Sequence, residues 1–263
     1  MAATPTPLNN NDDRPAGMSV EEWQLRVDLA AAYRLAALYG WTDLNNTHFS
    51  ARIPGTDTFL LNPFGMFFDE ITASSLVVVD HQGNIIGDSG YPTNPAGFVI
   101  HGALHMAVPE ANCIIHTHSR YGTAVSMQAD GLRPASQKAL TVMGWVGYHD
   151  FAGAALDTDE RPRIVSDLGE KKILILRNHG LLCSGRSVGE AFVWTYRIET
   201  ACRQQIDAMS GGARLQPLSE ATQQRTIEQG LKMYGPGGFI EVGLEWPALL
   251  RQLEREDGFG YRS

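Results

Sequence analysis

From residue 20 to residue 39 apolar side chains return every three or four positions behind Ser19 and Glu22, a capping-box pair, and Gly40 supplies a stop. This pattern predicts a first helix. It then shortens to strand-like runs at 47–52, 59–62 and 76–79, parted by turn signals at Pro54-Gly55 and His81-Gln82-Gly83. A helix follows over 98–108, opened by Pro95-Ala96-Gly97, and Cys113-Ile114-Ile115 reads as a buried strand running into His116. Next come a helix over 121–129, a strand around 142–148 and a short helix near 163–168. A compact strand over 173–176 ends at Arg177-Asn178-His179-Gly180. Long helical periods occupy 188–209 and 220–233, and Pro247 suits the opening turn of a last helix through Glu254. Short apolar strands mixed with amphipathic helices predict an α/β fold. Ser210-Gly211-Gly212 divides the chain into a compact domain over 18–212 and a helical extension over 213–263 packed on it, with a disordered tail expected over 1–17.

Composition narrows the picture. With 263 residues, 43% of them hydrophobic, the chain can bury one substantial core. A net charge of −8 without clustered Lys and Arg argues against a nucleic-acid surface and favours small-molecule or protein partners, a small-molecule substrate being expected. Cys113, Cys183 and Cys202 lie in apolar stretches without a pairing pattern, as buried thiols of a reducing compartment do. The amino-terminal residues lack the basic start and apolar run of a secretory signal, and no stretch reaches the ~18 apolar residues of a membrane span. A soluble, cytoplasmic protein without membrane contact is expected.

Candidate chemistry gathers on histidine. His116 and His118 stand two apart where a strand runs out, so they share a face and can share one ion. His179, at the end of another buried strand, is the best third ligand, with Gly180 letting the backbone turn and keeping space beside the ring. Three neutral imidazoles suit Zn²⁺, Mn²⁺, Fe²⁺ or Co²⁺ and leave positions open for substrate. The same spacing also suits buried strand histidines bonded to backbone, with His179 capping a turn. His101 and His105, four apart on a helix, are expected to give one contact behind the ligands and one surface residue. His48 and His149 could each face a pocket or serve structure, and His81 lies in a solvated turn. The aromatic loop Asn62 to Phe68 is a pocket wall or a plug under the sheet, and Asp69-Glu70 caps the next segment.

Several of these pieces in one order resemble the class II aldolase and adducin superfamily. They are Tyr39-Gly40-Trp41, Phe64-Gly65 with Ile71 to Leu76, Asn94-Pro95-Ala96-Gly97-Phe98 with His101, Ile115-His116-Thr117-His118, Pro134-Ala135-Ser136-Gln137, Tyr148-His149-Asp150 and Arg177-Asn178-His179-Gly180-Leu181. The resemblance implies a three-layer fold with a central, mostly antiparallel sheet flanked by helices. It also implies a homotetramer with active sites at subunit interfaces. It makes His116, His118 and His179 the ligands of one divalent metal per subunit, zinc first, with Mn²⁺ or Fe²⁺ as alternatives. In the sugar-phosphate aldolases that metal polarises substrate oxygens and stabilises an enediolate. Phe64, Asn94, Gly97 and Gln137 become substrate-pocket positions, and His48 and Tyr148 the groups that could move protons.

The departures bear on substrate. The aldolases carry a glutamate, both ligand and base, where counting back from His101 gives Gly97. Hydroxyl donors of their phosphate cradle become Pro95-Ala96 and Phe64-Gly65, and a Gly-Asn becomes Thr47-His48. A phosphate would be desolvated there without partners. The pattern looks most like the head domain of adducin and its bacterial relatives. The expected function is a metal-dependent lyase, retro-aldol or decarboxylating, on a small non-phosphorylated and possibly aromatic hydroxy- or keto-acid. The alternatives are an adducin-like assembly module without catalysis and an iron-dependent oxygenase on the same triad.

Overall fold

The computed structural model describes residues 14–263 apart from 88, 93, 154–159 and 213, with backbone alone at 95–99 and 241–242. Of the tail expected over 1–17, only residues 14–17 fall among them. The first helix, α1 (Val20–Leu38), starts where the capping pair puts it: the Ser19 hydroxyl oxygen accepts the Glu22 N–H at 3.0 Å. Gly40, at φ 69°, ends it.

The strands are β1 (His48–Arg52), β2 (Phe59–Leu61), β3 (Val77–Val79), β4 (Ile85–Ile86), β5 (Cys113–Thr117), β6 (Val146–His149), β7 (Ile173–Leu176) and β8 (Gly180–Gly185). They form one sheet in the order β4-β3-β2-β1-β5-β8-β7-β6. Neighbours run antiparallel except β6 and β7, which are parallel. The other described α-helices are α2 (Pro95–Ala107), α3 (Arg120–Ser126), α4 (Gln137–Met143), α5 (Arg161–Leu168), α6 (Val188–Ser210), α7 (Glu220–Tyr234), α8 (Phe239–Val242) and α9 (Glu245–Glu256), with short 3-10 turns at Phe68–Glu70 and Gly260–Arg262.

Strand alternation sorts the side chains between two helical layers. Ile114, Leu174, Leu176 and Leu182 point to one face, where Ile100 and Leu104 of α2 and Ile164 and Leu168 of α5 cover them. Cys113, Ile115, Phe49 and Ala51 point to the other, against α1 and Phe192 of α6. Ile173, Ile175, Leu181 and Cys183 continue that second face under Val125, Val142 and Trp194. The predicted three-layer arrangement is the observed one. Leu250, Leu253 and Tyr261 are part of the α1 cluster, and a Cβ on Gly230 would stand 2.1 Å from the Thr141 carbonyl oxygen, so α9 and α7 lie directly on the main body.

Two expectations need correction. The strand expected around 142–148 begins only at Val146, because Val142 and Met143 end α4, where Val142 fills the core beneath α6. The strand β8 was not anticipated: its Gly, Ser and Cys positions blur any alternation, and it exists because β5 and β7 bond to it from both sides.

Candidate metal centre

The register of β1 and β5 pairs His48 with His116 and Ser50 with Ile114. His48, Ser50 and His116 therefore all face the α2 side, and His118 lies just past the strand end. His179 arrives from the β7–β8 turn. Asn178 takes the left-handed conformation there, at φ 57°, and the Ser126 carbonyl accepts its N–H at 3.0 Å. The His179 N–H bonds to the Leu176 carbonyl at 3.0 Å and to Ser126 Oγ at 3.2 Å, which fixes where the ring starts. Asn178, and not Gly180, makes the sharp turn. Gly180 is needed for close approach, since a Cβ there would meet the Thr117 carbonyl oxygen at 2.4 Å and His118 Cδ2 at 3.2 Å.

The rings of His116, His118 and His179 stand 4.8, 4.8 and 4.9 Å apart by centroid, and one ligand nitrogen from each lies within 4.8 Å of the others. Their tautomers follow from their partners. His116 Nδ1 faces the Leu181 carbonyl at 2.9 Å, which only accepts, so Nδ1 carries the hydrogen and Nε2 is bare. His118 Nδ1 faces the Asp43 carboxylate at 2.8 Å and is fixed the same way. The two bare Nε2 atoms point at each other across 3.0 Å. Burial holds His116 well below its ordinary pKa, with neighbouring His48, His179 and His118 adding to the effect. Burial, then His118, pushes His179 down to about 4. His116 and His118 thus turn bare Nε2 atoms towards one another with a ring nitrogen of His179 close by, a donor set that fits a borderline divalent cation. His116 is buried while His118 and His179 are partly exposed, so the cluster opens outward on their side.

Behind the triad lie the other histidines of this face. His48 is 5.3 Å from His116 and 4.4 Å from His101 by ring centroid. The expectation that His101 and His105 would divide into an inner and a surface residue is corrected: they are 2% and 1% exposed. The cause is Ser50, whose hydroxyl lies 2.7 Å from His101 Nδ1 and 2.7 Å from His105 Nε2 and holds both inward. His149 is buried with Nδ1 2.7 Å from Asp167 and Nε2 3.0 Å from Glu160, pinning the end of β6 to α5.

The remaining candidates are scattered around this end of the sheet. The Tyr148 hydroxyl accepts the Leu132 N–H at 3.0 Å, and its ring lies 4.7 Å under the Arg177 guanidinium. Asn94 donates to the Asn46 carbonyl at 3.3 Å, in the loop that also carries Asp43. Gly97 is in the first turn of α2, and Gln137 opens α4 with an exposed side chain. Phe64 is half-buried and donates its backbone N–H to the Pro92 carbonyl at 2.9 Å. Of the aromatic loop, Phe68 is the plug, packed edge-on to Tyr33 and Phe49, whereas Phe67 is 51% exposed. Glu70 accepts the Phe67 N–H, as a cap does, and all three cysteines are free and buried. Asp43 escaped notice in the sequence because a lone acidic loop residue, far from the motif it serves, carries no periodic or spacing signal.

Comparison with known proteins agrees with this architecture. Residues 27–206 match the family described as Class II Aldolase and Adducin N-terminal domain. A Caulobacter vibrioides protein assigned to aldolase class 2 is 50% identical over 240 residues, covering 91% of this chain and 92% of its own. The aldolase II superfamily protein of Pseudomonas syringae superposes with a TM-score of 0.88 at 49% identity, over 94% of this chain and 98% of its own. The L-fuculose 1-phosphate aldolase of Glaciozyma antarctica does so with a TM-score of 0.79 at 29% identity, over 95% and 97%. With sheet order, histidine cluster and sequence in agreement, this chain belongs to the class II aldolase and adducin family.

Proposed function

We propose that the protein is a metal-dependent carbon–carbon lyase, of retro-aldol or decarboxylating type, acting on a small non-phosphorylated hydroxy- or keto-acid, aromatic ones included. The observation that carries this reading is the pair of bare Nε2 atoms of His116 and His118 facing each other at 3.0 Å. Two lone pairs so placed repel unless a cation lies between them. Burial opposes a proton's charge on His116, so a proton in that gap would have to leave its charge on His118 beside Asp43. A divalent ion held by His116, His118 and His179, which we assign as Zn²⁺ with Mn²⁺ or Fe²⁺ as alternatives, would supply a Lewis acid for charge developing on a substrate oxygen.

The chain's own groups take the other tasks. Asp43 and the Leu181 carbonyl aim the ligand nitrogens. His48, paired across the sheet with His116, is the group we assign to proton movement, with Tyr148 second, since its hydroxyl keeps a proton to donate while it accepts from Leu132. Phe64, Asn94, Gly97 and Gln137 are assigned to the substrate pocket. Gly97 brings no carboxylate, and Pro95-Ala96 and Phe64-Gly65 bring no side-chain hydroxyl. A phosphate would lose its water without gaining donors, which is why this substrate differs in class from L-fuculose 1-phosphate.

Elemental analysis of protein purified without chelator tests the reading. About one equivalent of zinc or manganese per chain is expected, and less than about one-tenth of an equivalent of any metal overturns the lyase. That result would leave an adducin-like module without catalysis, whereas stoichiometric iron would redirect the assignment to oxygenase chemistry.

A further inference from the structure

The hydrogen bonds behind the triad run in one direction only. His105 Nδ1 lies 2.6 Å from the Ala111 carbonyl oxygen, which has no hydrogen to give, so Nδ1 donates and His105 Nε2 is bare. Ser50 Oγ, 2.7 Å from that nitrogen, must then donate its single hydrogen to it. The hydroxyl is left with lone pairs towards His101 Nδ1, at 2.7 Å, so His101 carries its hydrogen on Nδ1 and its Nε2 is bare. Burial holds both rings far below their ordinary pKa, His105 down to about 3, so each is neutral and has one tautomer to choose. Among the described residues His101 Nε2 has no hydrogen-bond partner, although the residue is 2% exposed. A buried acceptor left open is costly, and the ring packed against His101 is that of His48, 4.4 Å away by centroid with the planes 48° apart. Phe59, stacked on His105 at 4.6 Å, closes the far end of the file.

We propose that Ser50, His101 and His105 form a tautomer lock, in which the bare His101 Nε2 makes His48 keep its N–H on the His101 side and present its unprotonated nitrogen towards the triad. An N–H turned on a lone pair is attracted and a second lone pair is repelled, so the choice made at the Ala111 carbonyl is passed through two rings and a hydroxyl to a third ring. Ser50, His101 and His105 are positioning residues, acting on the site through His48. The inference rests on the reading of His48 as the proton-moving group, but its test does not.

The test is ¹⁵N spectroscopy of the histidine rings in metal-free and zinc-loaded protein at pH 7.5. Wild type should show His105 and His101 protonated on Nδ1 and His48 in a single tautomer. Ser50→Ala should shift the His101 and His48 tautomer ratios by about fivefold towards mixtures, and Ser50→Thr, which keeps the hydroxyl, should restore them. A His101 protonated on Nε2 in wild type overturns the lock, as does a His48 ratio unmoved by Ser50→Ala. Because wild type alone can decide against it, misfolding of a variant does not shelter the proposal. Correct tautomers in a protein that retains no metal would sustain the lock and sink the lyase.

Discussion

Asp43 decides which nitrogen of His118 is bare, and it does so from a loop outside the sheet. Replacing it with Ala should leave the ring free to rotate and change tautomer, lowering metal affinity about 10- to 100-fold in a chelator competition. Unchanged affinity would remove Asp43 from the site. His116→Ala should abolish metal retention, because it deletes the one proposed ligand that is both buried and fixed at Nδ1; full occupancy in that variant would mean the ligands are wrongly assigned. Acid acts on the same groups. His105 and His179 are depressed to about 3 and about 4, whereas unfolded histidines titrate near 6.5, so between those values the unfolded chain binds more protons. Their contribution is complete above about pH 6.5 and is lost as pH falls towards 3, with His105 alone worth on the order of 4 kcal/mol. Urea titrations of metal-free protein from pH 7.5 to 4 should show that decline, and a flat profile would contradict the burial of these rings.

Among the elements, the β7–β8 turn and β8 itself do most to assemble the centre. β8 supplies the carbonyl of Leu181 that fixes His116, and the turn before it supplies His179. Gly180→Ala should push β8 off β5 at the Thr117 carbonyl, destabilising the protein by about 1–3 kcal/mol in equilibrium denaturation and weakening metal binding together. Loss of stability with metal affinity intact would show that the strand does not position the ligands. Helices α1, α6 and α7 were legible in the sequence nearly to the residue, since long amphipathic periods and, at α1, the Ser19 cap speak locally. β8 was not, because its short run of Gly, Leu, Cys and Ser is a strand through its neighbours' hydrogen bonds. For the same reason His101 and His105 could be put on one helix face, while their common burial depended on Ser50, some fifty residues earlier in the chain.

At the scale of the whole molecule, the centre opens at one end of the sheet, near surfaces that carry apolar groups out to solvent. Met127, 59% exposed, follows the Ser126 that holds His179, and Phe151, 56% exposed, lies two residues beyond His149. We expect a homotetramer in which a neighbouring copy covers such surfaces; sedimentation velocity should report four chains, and a monomer at micromolar concentration would refute it. Among the described residues no helix is long and apolar enough to cross a membrane. By itself the sequence determined the helical periods, the α/β class, the pairing of His116 with His118 on one face and their partnership with His179, because these depend on spacing along a chain or on motifs kept in order. Only the tertiary structure decided the rest: which nitrogen of His116 and of His118 is bare, which carboxylate aims His118, and that Ser50 gathers His101 and His105 behind His48. Those features are contacts between residues far apart in sequence, and a hydrogen bond that selects a tautomer exists only once the sheet register and the packing of α2 have brought its two ends within reach.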